Sequence, residues 1–156
     1  MNPNIKILSS VNNKILTDLV KIHFNAFKKF NLRPWNYRDF LDILNNGYKI
    51  FYYNLDNKII GFVIVNYNLD FREIITIAVD RSYQRKKIGS ILLQHIIDYG
   101  QFNKSIYIEV AKNNYQAIKF YNKFGFKLLS YRRNYYSIYS GKNKGFRIDA
   151  LVMKLI

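Results

Sequence analysis

The stretch Ile77-Ala78-Val79-Asp80-Arg81-Ser82-Tyr83-Gln84-Arg85-Lys86-Lys87-Ile88-Gly89-Ser90 constrains this chain more than any other. An apolar, β-branched run stops at Asp80 and a short basic turn follows. Ile88, Ile91, Leu92, His95 and Ile96 then recur at helical spacing. A strand, a cationic turn and a helix start in that order make a seat for an anion. The first turn of a helix has unpaired N–H groups and a partial positive charge, and phosphate is the usual occupant. A basic turn before a helix is also an ordinary solvated surface, so the stretch carries weight only beside a second motif.

Composition narrows the choices. The 156 residues are 49% hydrophobic and 17% aromatic, which fits one folded domain over 1–156 with a substantial core. The absence of cysteine excludes disulfides, a thiol nucleophile and cysteine-based zinc sites. His23 and His95 are far apart, so no metal site is expected. The Met-Asn-Pro-Asn start has no apolar signal core and no apolar run reaches membrane-spanning length. A cytoplasmic chain without a membrane partner is the expectation. The formal charge of +15 fits a polyanionic partner such as nucleic acid, a ribosome or a ligand with several phosphates. AT-rich coding, visible in the crowd of Lys, Asn, Ile, Tyr and Phe, accounts for it equally well.

The hydrophobic pattern predicts a strand over Ile5–Leu8, a helix over Lys14–Phe30 and a second helix over Tyr37–Asn45 capped by Asn36. A hairpin over Lys49–Leu55 and Lys58–Leu69 turns at Asp56-Asn57, and Glu73–Val79 is the next strand. A helix over Ile88–Tyr99 ends at Gly100, followed by a strand over Ser105–Val110 and a helix over Asn114–Phe124 stopped by Gly125. Phe126–Tyr131 and Ile148–Leu155 close as an antiparallel pair around a polar loop, Ser137–Gly145. The order describes a mixed α/β layer fold.

Two segments resemble the GNAT acetyltransferases. Gln84-Arg85-Lys86-Lys87-Ile88-Gly89 is similar to the family's acyl-CoA motif, with Lys87 where a glycine is usual. Glu109-Val110, Asn114, Ala117, Tyr121 and Gly125-Phe126 are similar to its second motif. The tail Arg132-Arg133-Asn134-Tyr135-Tyr136 with Asp149-Ala150-Leu151-Val152-Met153, together with Pro34-Trp35, resembles the RimI-type protein N-terminal acetyltransferases. Ala111 stands where that group commonly has arginine, and the Ser137–Arg147 loop is longer and more basic than is usual there. The resemblance implies a GNAT-like, mostly antiparallel central sheet flanked by helices and splayed between the two motif strands.

It also implies chemistry. Acetyl-CoA is the expected cosubstrate, without a metal, and the acceptor is the N-terminal amine of a peptide or protein, a ribosomal protein included. An α-amine with a pKa of about 7.7–8.0 needs only a modest base. By resemblance Glu109 is that base and Tyr121 the acid that protonates the leaving thiolate. Ile77, Ala78 and Val79 would pair with the cofactor arm, with the Val79 N–H on the oxyanion. Arg85, Lys86, Lys87, Ile88, Gly89 and Ser90 would cradle the pyrophosphate, and Asn114 would contact the cofactor from the other strand. Trp35, Tyr135 and Tyr136 are the expected substrate-side residues, each with simple packing as its ordinary alternative. A monomer or weak homodimer fits. Two other readings stay open: a related enzyme acting on lysine or a small-molecule amine, and a non-catalytic basic module that binds nucleic acid.

Overall fold

The computed structural model describes residues 2–99 and 104–155. Its strands are β1 (Ile5–Ile7), β2 (Lys49–Leu55), β3 (Lys58–Tyr67), β4 (Phe71–Val79), β5 (Ser105–Ala111), β6 (Lys127–Ser137) and β7 (Arg147–Leu155). Its helices are α1 (Asn13–Phe27), α2 (Tyr37–Asn45), α3 (Ile88–Asp98) and α4 (Tyr115–Lys123). The strands form one sheet in the order β1-β2-β3-β4-β5-β7-β6. Neighbours are antiparallel except β4 and β5, which run parallel.

A helix layer covers each face. Leu16, Leu19 and Ile22 of α1 and Phe40 of α2 bury against Ile50, Phe62 and Ile64. Leu92, Leu93 and Ile96 of α3 and Tyr121 of α4 bury against Val63, Ile74, Ile108 and Val110. Alternation along the strands sends successive side chains to opposite layers. Gly61 lets α3 lie close to the sheet: a Cβ there would stand 3.3 Å from methyl groups of Ile88 and Leu92.

The feature that shapes the site is the short contact between β4 and β5. They pair from Phe71↔Ser105 to Ile74↔Ile108 and no further. At that point the β3–β4 register slips: Val65 faces Ile74 while Ile64 faces Thr76, leaving Ile75 as a bulge. A bulge bends and twists its strand, and beyond it β4 and β5 diverge. The bulge also exchanges faces. Ile74 lies in the core under α3 before it, and Ile77 and Val79 pack against that core after it.

Several boundaries differ from the sequence expectation. The first helix stops at Phe27 and passes into a 3-10 turn, Lys28–Phe30, that ends with Asn31 left-handed at φ 54°. Neither proline nor glycine marks that change. The strand expected to stop at Tyr131 continues to Ser137, because an exposed edge strand needs no apolar alternation. The expected stop at Gly100 lies outside the described residues. His95 is half-buried on α3 beside Phe51 and Tyr99.

Arg72 ties α3 to the sheet. Its side chain, 3% exposed, donates to the carbonyls of Ile96 (2.6 Å), Tyr99 (2.9 Å) and Lys104 (3.2 Å). These include carbonyls that the end of a helix leaves without intrahelical partners. Arg72→Met removes the donors and strands the acceptors. It is expected to cost about 2–4 kcal/mol in urea unfolding; a loss below about 1 kcal/mol would show that water replaces the guanidinium.

Candidate active site

Where β4 and β5 part, main-chain groups on both strands lose their sheet partners. Asp80 N–H donates to Ile60 C=O at 2.8 Å. Alternation of an antiparallel ladder then turns Ala78 toward β3 as well, and turns Ile77 and Val79 toward the gap. So Ile77 and Val79 present main-chain groups to the gap, whereas Ala78 spends its own on β3 and buries its methyl under α1. Gln84 Nε2 donates to Val79 C=O at 3.1 Å, tying the following loop to the strand end and leaving the Val79 N–H outside that bond.

That loop is a chain of N–H groups in unusual conformations. Arg85 (φ 62°) and Lys87 (φ 65°) are both left-handed, and Lys87 is the cap residue of α3. Alternating left- and right-handed residues gather successive N–H groups into an anion-binding concavity. Ile88 anchors the turn in the core. Gly89 has room to spare: a Cβ there would meet Phe120 and Val79 only at ordinary contact, 3.7 Å. The protein's own packing does not require this glycine, and on the open side the missing Cβ leaves the backbone accessible. Outside the loop is a groove of about 690 Å³ that Lys28, Lys29, Arg81, Arg85, Lys119 and Lys123 line together with Ser90. None of these six cations has an ion-pair partner among the described residues. A diphosphate chain fits both the loop and the charge.

On the other side of the gap lies a cleft of about 490 Å³. Glu109 and Tyr121 both line it, with Ile77, Asn114 and Tyr136. Glu109 is near the end of β5, its carboxylate 14% exposed and held by Arg132 Nε at 2.7 Å. Tyr121 is brought there by α4, which begins when Asn114 Oδ1 accepts from Ala117 N–H at 3.1 Å. Burial pushes the Tyr121 phenol up, so it stays protonated well past neutral pH. Asn114 therefore positions α4 as well as facing the cleft. Lys86 stacks over Tyr83, 5.1 Å from its ring centroid, beside the loop.

The outer wall is aromatic. His23, Phe24, Phe27, Phe30 and Trp35 line it from α1 and the segment after it. Trp35 stacks on His23 with ring centroids 4.5 Å apart, so it shapes the cleft and fills the core at once. The segment is pinned at its base by Arg33, whose two terminal nitrogens donate to Asp39 at 3.0 and 2.9 Å. That hydrogen-bonded pair holds the Asp39 carboxyl below the usual carboxylate range. The β6–β7 loop closes over the top: Tyr139 N–H donates to Asn31 C=O at 2.7 Å. Tyr136 lies on the cleft, whereas Tyr135 is 45% exposed and outside it, edge-on to Tyr136.

These features match a known family. The model of the acetyltransferase (GNAT) family matches residues 16–126. The chain belongs to the GNAT acetyltransferases. It is 33% identical to the [ribosomal protein bS18]-alanine N-acetyltransferase of Escherichia coli K12 over 126 residues, 78% of this chain and 80% of that one. It is 30% identical to N-alpha-acetyltransferase 50 of Danio rerio over 135 residues, 78% of this chain and 79% of that one. The crystal structure of the E. coli ribosomal-protein-S18-alanine N-acetyltransferase superposes with a TM-score of 0.80 at 30% identity, covering 97% of this chain and 92% of that one. Arabidopsis Naa50 in complex with the bisubstrate analogue CoA-Ac-MVNAL gives 0.72 at 26%, covering 98% and 99%. The mixed, mostly antiparallel sheet between helices is the GNAT fold, and the enzyme is an N-acetyltransferase.

Sequence reasoning missed part of this GNAT cleft. Phe27 and Phe30 read as helix residues, and His23 as core alone. Arg132 was visible as part of a motif but without a partner, since Glu109 is two strands away. A cluster of phenylalanines at the end of the first helix, just before a Pro-Trp turn, was the available signal.

Two outcomes test this site's construction. Lys87→Gly relieves the left-handed backbone and is expected to stabilise the protein by about 0.5–1 kcal/mol in chemical denaturation. A loss of stability would mean the lysine side chain outweighs the backbone cost. Burial lowers the His23 pKa to about 4. An unfolded histidine takes up its proton near pH 6.5 and the folded one only near pH 4. The His23 contribution is therefore complete above pH 6.5 and is lost as pH falls toward 4, at up to about 1.4 kcal/mol per unit. His23→Leu should flatten that part of the stability–pH curve; an unchanged slope would assign it to other groups.

Proposed function

We propose that this enzyme transfers the acetyl group of acetyl-CoA to the N-terminal α-amine of proteins, in the cytoplasm, with ribosomal proteins among its substrates. The parting of β4 from β5 carries the reading. It leaves main-chain donors on one strand facing a cleft whose other walls hold a carboxylate and a protonated phenol. The named activities of the E. coli and zebrafish relatives, both N-acetyltransferases with one named for a ribosomal-protein alanine, support the acceptor class. Bound acetyl-CoA supplies an activated thioester carbonyl. The loop from Arg85 to Ser90 would hold its phosphates, and Ile77 and Val79 would pair with its arm.

The chain's own residues do the rest. Glu109 takes the proton from the incoming ammonium, directly or through one water, which leaves a neutral nucleophile. The Val79 N–H faces the carbonyl oxygen as negative charge develops there. Tyr121 donates its hydroxyl proton to the departing sulfur, and the second proton that the nitrogen loses as the amide forms restores the phenol. Trp35, Tyr136 and the phenylalanine wall hold the first residues of the peptide away from water. Asn31 and Tyr139 close the cleft over it.

Thiol release measured with paired peptides tests the acceptor. Peptides with a free α-amine should react. Peptides with a blocked N-terminus and a free lysine should not. Release only from the lysine set would make this a lysine acetyltransferase. Silence from both with acetyl-CoA still bound would move the reading to a small-molecule amine. Glu109→Gln should lower kcat by about 100-fold while acetyl-CoA binds as before by calorimetry; unchanged turnover would remove Glu109 from the reaction.

A further inference from the structure

Glu73 and Glu109 are the only glutamates in the chain, and the fold sets them side by side. Glu73 on β4 is in register with Tyr107 on β5, so Glu109 is one step further along the same face. Ile74, Ile108 and Val110 fill the core on the opposite face. A chain with 25 basic residues and 10 acidic ones has placed both glutamates at one spot. Like charges this close disfavour each other's ionised form. Burial first, and then Glu109, push the Glu73 carboxyl above its ordinary range.

The opposing charge comes from β6. Arg132 is in register with Ala150 of β7, which is in register with Ala111 of β5. Both intervening residues are alanines, so the guanidinium can cross low over β7 to reach Glu109. Arg132 is 56% exposed in its side chain, yet its Nε is fixed on the carboxylate at 2.7 Å. Tyr135 is beneath it, with its ring centroid 5.3 Å away. Arg132 is the one cation paired with Glu109 among the described residues.

The remaining groups around Glu109 are accounted for. Tyr135 and Tyr136 on β6 and Tyr121 on α4 are phenols that burial first of all holds protonated, so they add no charge near neutral pH, and the Tyr135 hydroxyl also hydrogen-bonds Glu109. Across the cleft, His23 is neutral at that pH and Arg33 is tied to Asp39. Lys28 is the other charged group on that wall.

We propose that Arg132 and Glu73 are opposed positioning residues for Glu109: the guanidinium reaches across from β6 and orients the carboxylate, and the second carboxylate sets a like charge beside it from β4. The proposal rests on Glu109 being the base. It gives the base two controls, one from β4 beside it and one from β6 across β7, and neither lines the cleft.

The test uses the whole protein labelled with [13Cδ]glutamate, which gives two carboxyl resonances, one for each glutamate. Glu109 is titrated in the wild type, Arg132→Gln, Arg132→Lys and Glu73→Gln, and Glu73 in the three proteins that keep it, alongside pH profiles of kcat/KM. Arg132→Gln is expected to move the Glu109 titration and the acid limb of the profile to higher pH by about one unit. Arg132→Lys should recover most of that shift, and Glu73→Gln should move both in the opposite direction. The KM for acetyl-CoA should change less than about twofold, since neither side chain belongs to the cofactor seat. Coincident titrations, or shifts of one sign in both variants, would overturn the proposal. Arg132→Lys and Glu73→Gln keep it falsifiable if Arg132→Gln does not fold. An inactive wild type that still shows the opposed shifts would fail the acetyl-transfer reading and leave the electrostatic one standing.

Discussion

Everything about this site follows from two parallel strands that separate after a short run of pairs. Parallel pairing normally continues until one strand ends, because each main-chain N–H and C=O needs a partner. Here the Ile75 bulge turns β4 away while both strands continue. The unpaired groups that result would be a liability in a closed core. Opened to a cleft, they become binding groups already held in place by β3 and β7. No loop has to be ordered to create them, so the site costs little to organise on binding.

The charges are sorted around that gap. The groove beyond the β4–α3 loop gathers lysines and arginines without ion-pair partners among the described residues. Glu109 lines the cleft on the opposite side of the gap, with Glu73 next to it on β4. On the proposed reading, a polyphosphate is drawn to one end and an ammonium to the other, and the reacting groups meet between them. On the same reading, part of the net charge of +15 has a local use. No helix among the described residues is long and apolar enough to cross a membrane.

Much of this was readable from sequence because the signals were local. The strand–turn–helix at Val79 to Gly89 and the helix start at Asn114 depend on neighbours within a few residues. Lys87 shows the limit of such reading. Its departure from glycine was visible, but only the backbone shows it held left-handed at φ 65°. The tail strand was cut short at Tyr131 because Arg132-Arg133-Asn134 has no apolar rhythm. What sustains the strand is long-range: Asn134 N–H donates to Asp149 Oδ1, and Arg147 donates to Asn134 C=O. The link from Arg132 to Glu109 crosses another strand, so no spacing rule could find it. The clasp between Asn31 and Tyr139 spans most of the chain for the same reason.

On the proposed function, the gap between β4 and β5 seats acetyl-CoA through main-chain groups. Amide hydrogen exchange, read residue by residue with and without acetyl-CoA, tests it most directly. The Ile77 and Val79 amides, and those from Arg85 to Ser90, should exchange far more slowly with the ligand bound, while Ala78, already paired with β3, should change little. Protection spread evenly along β4, or absent from Ile77 and Val79 while the ligand is bound, would mean that the gap does not seat the cofactor.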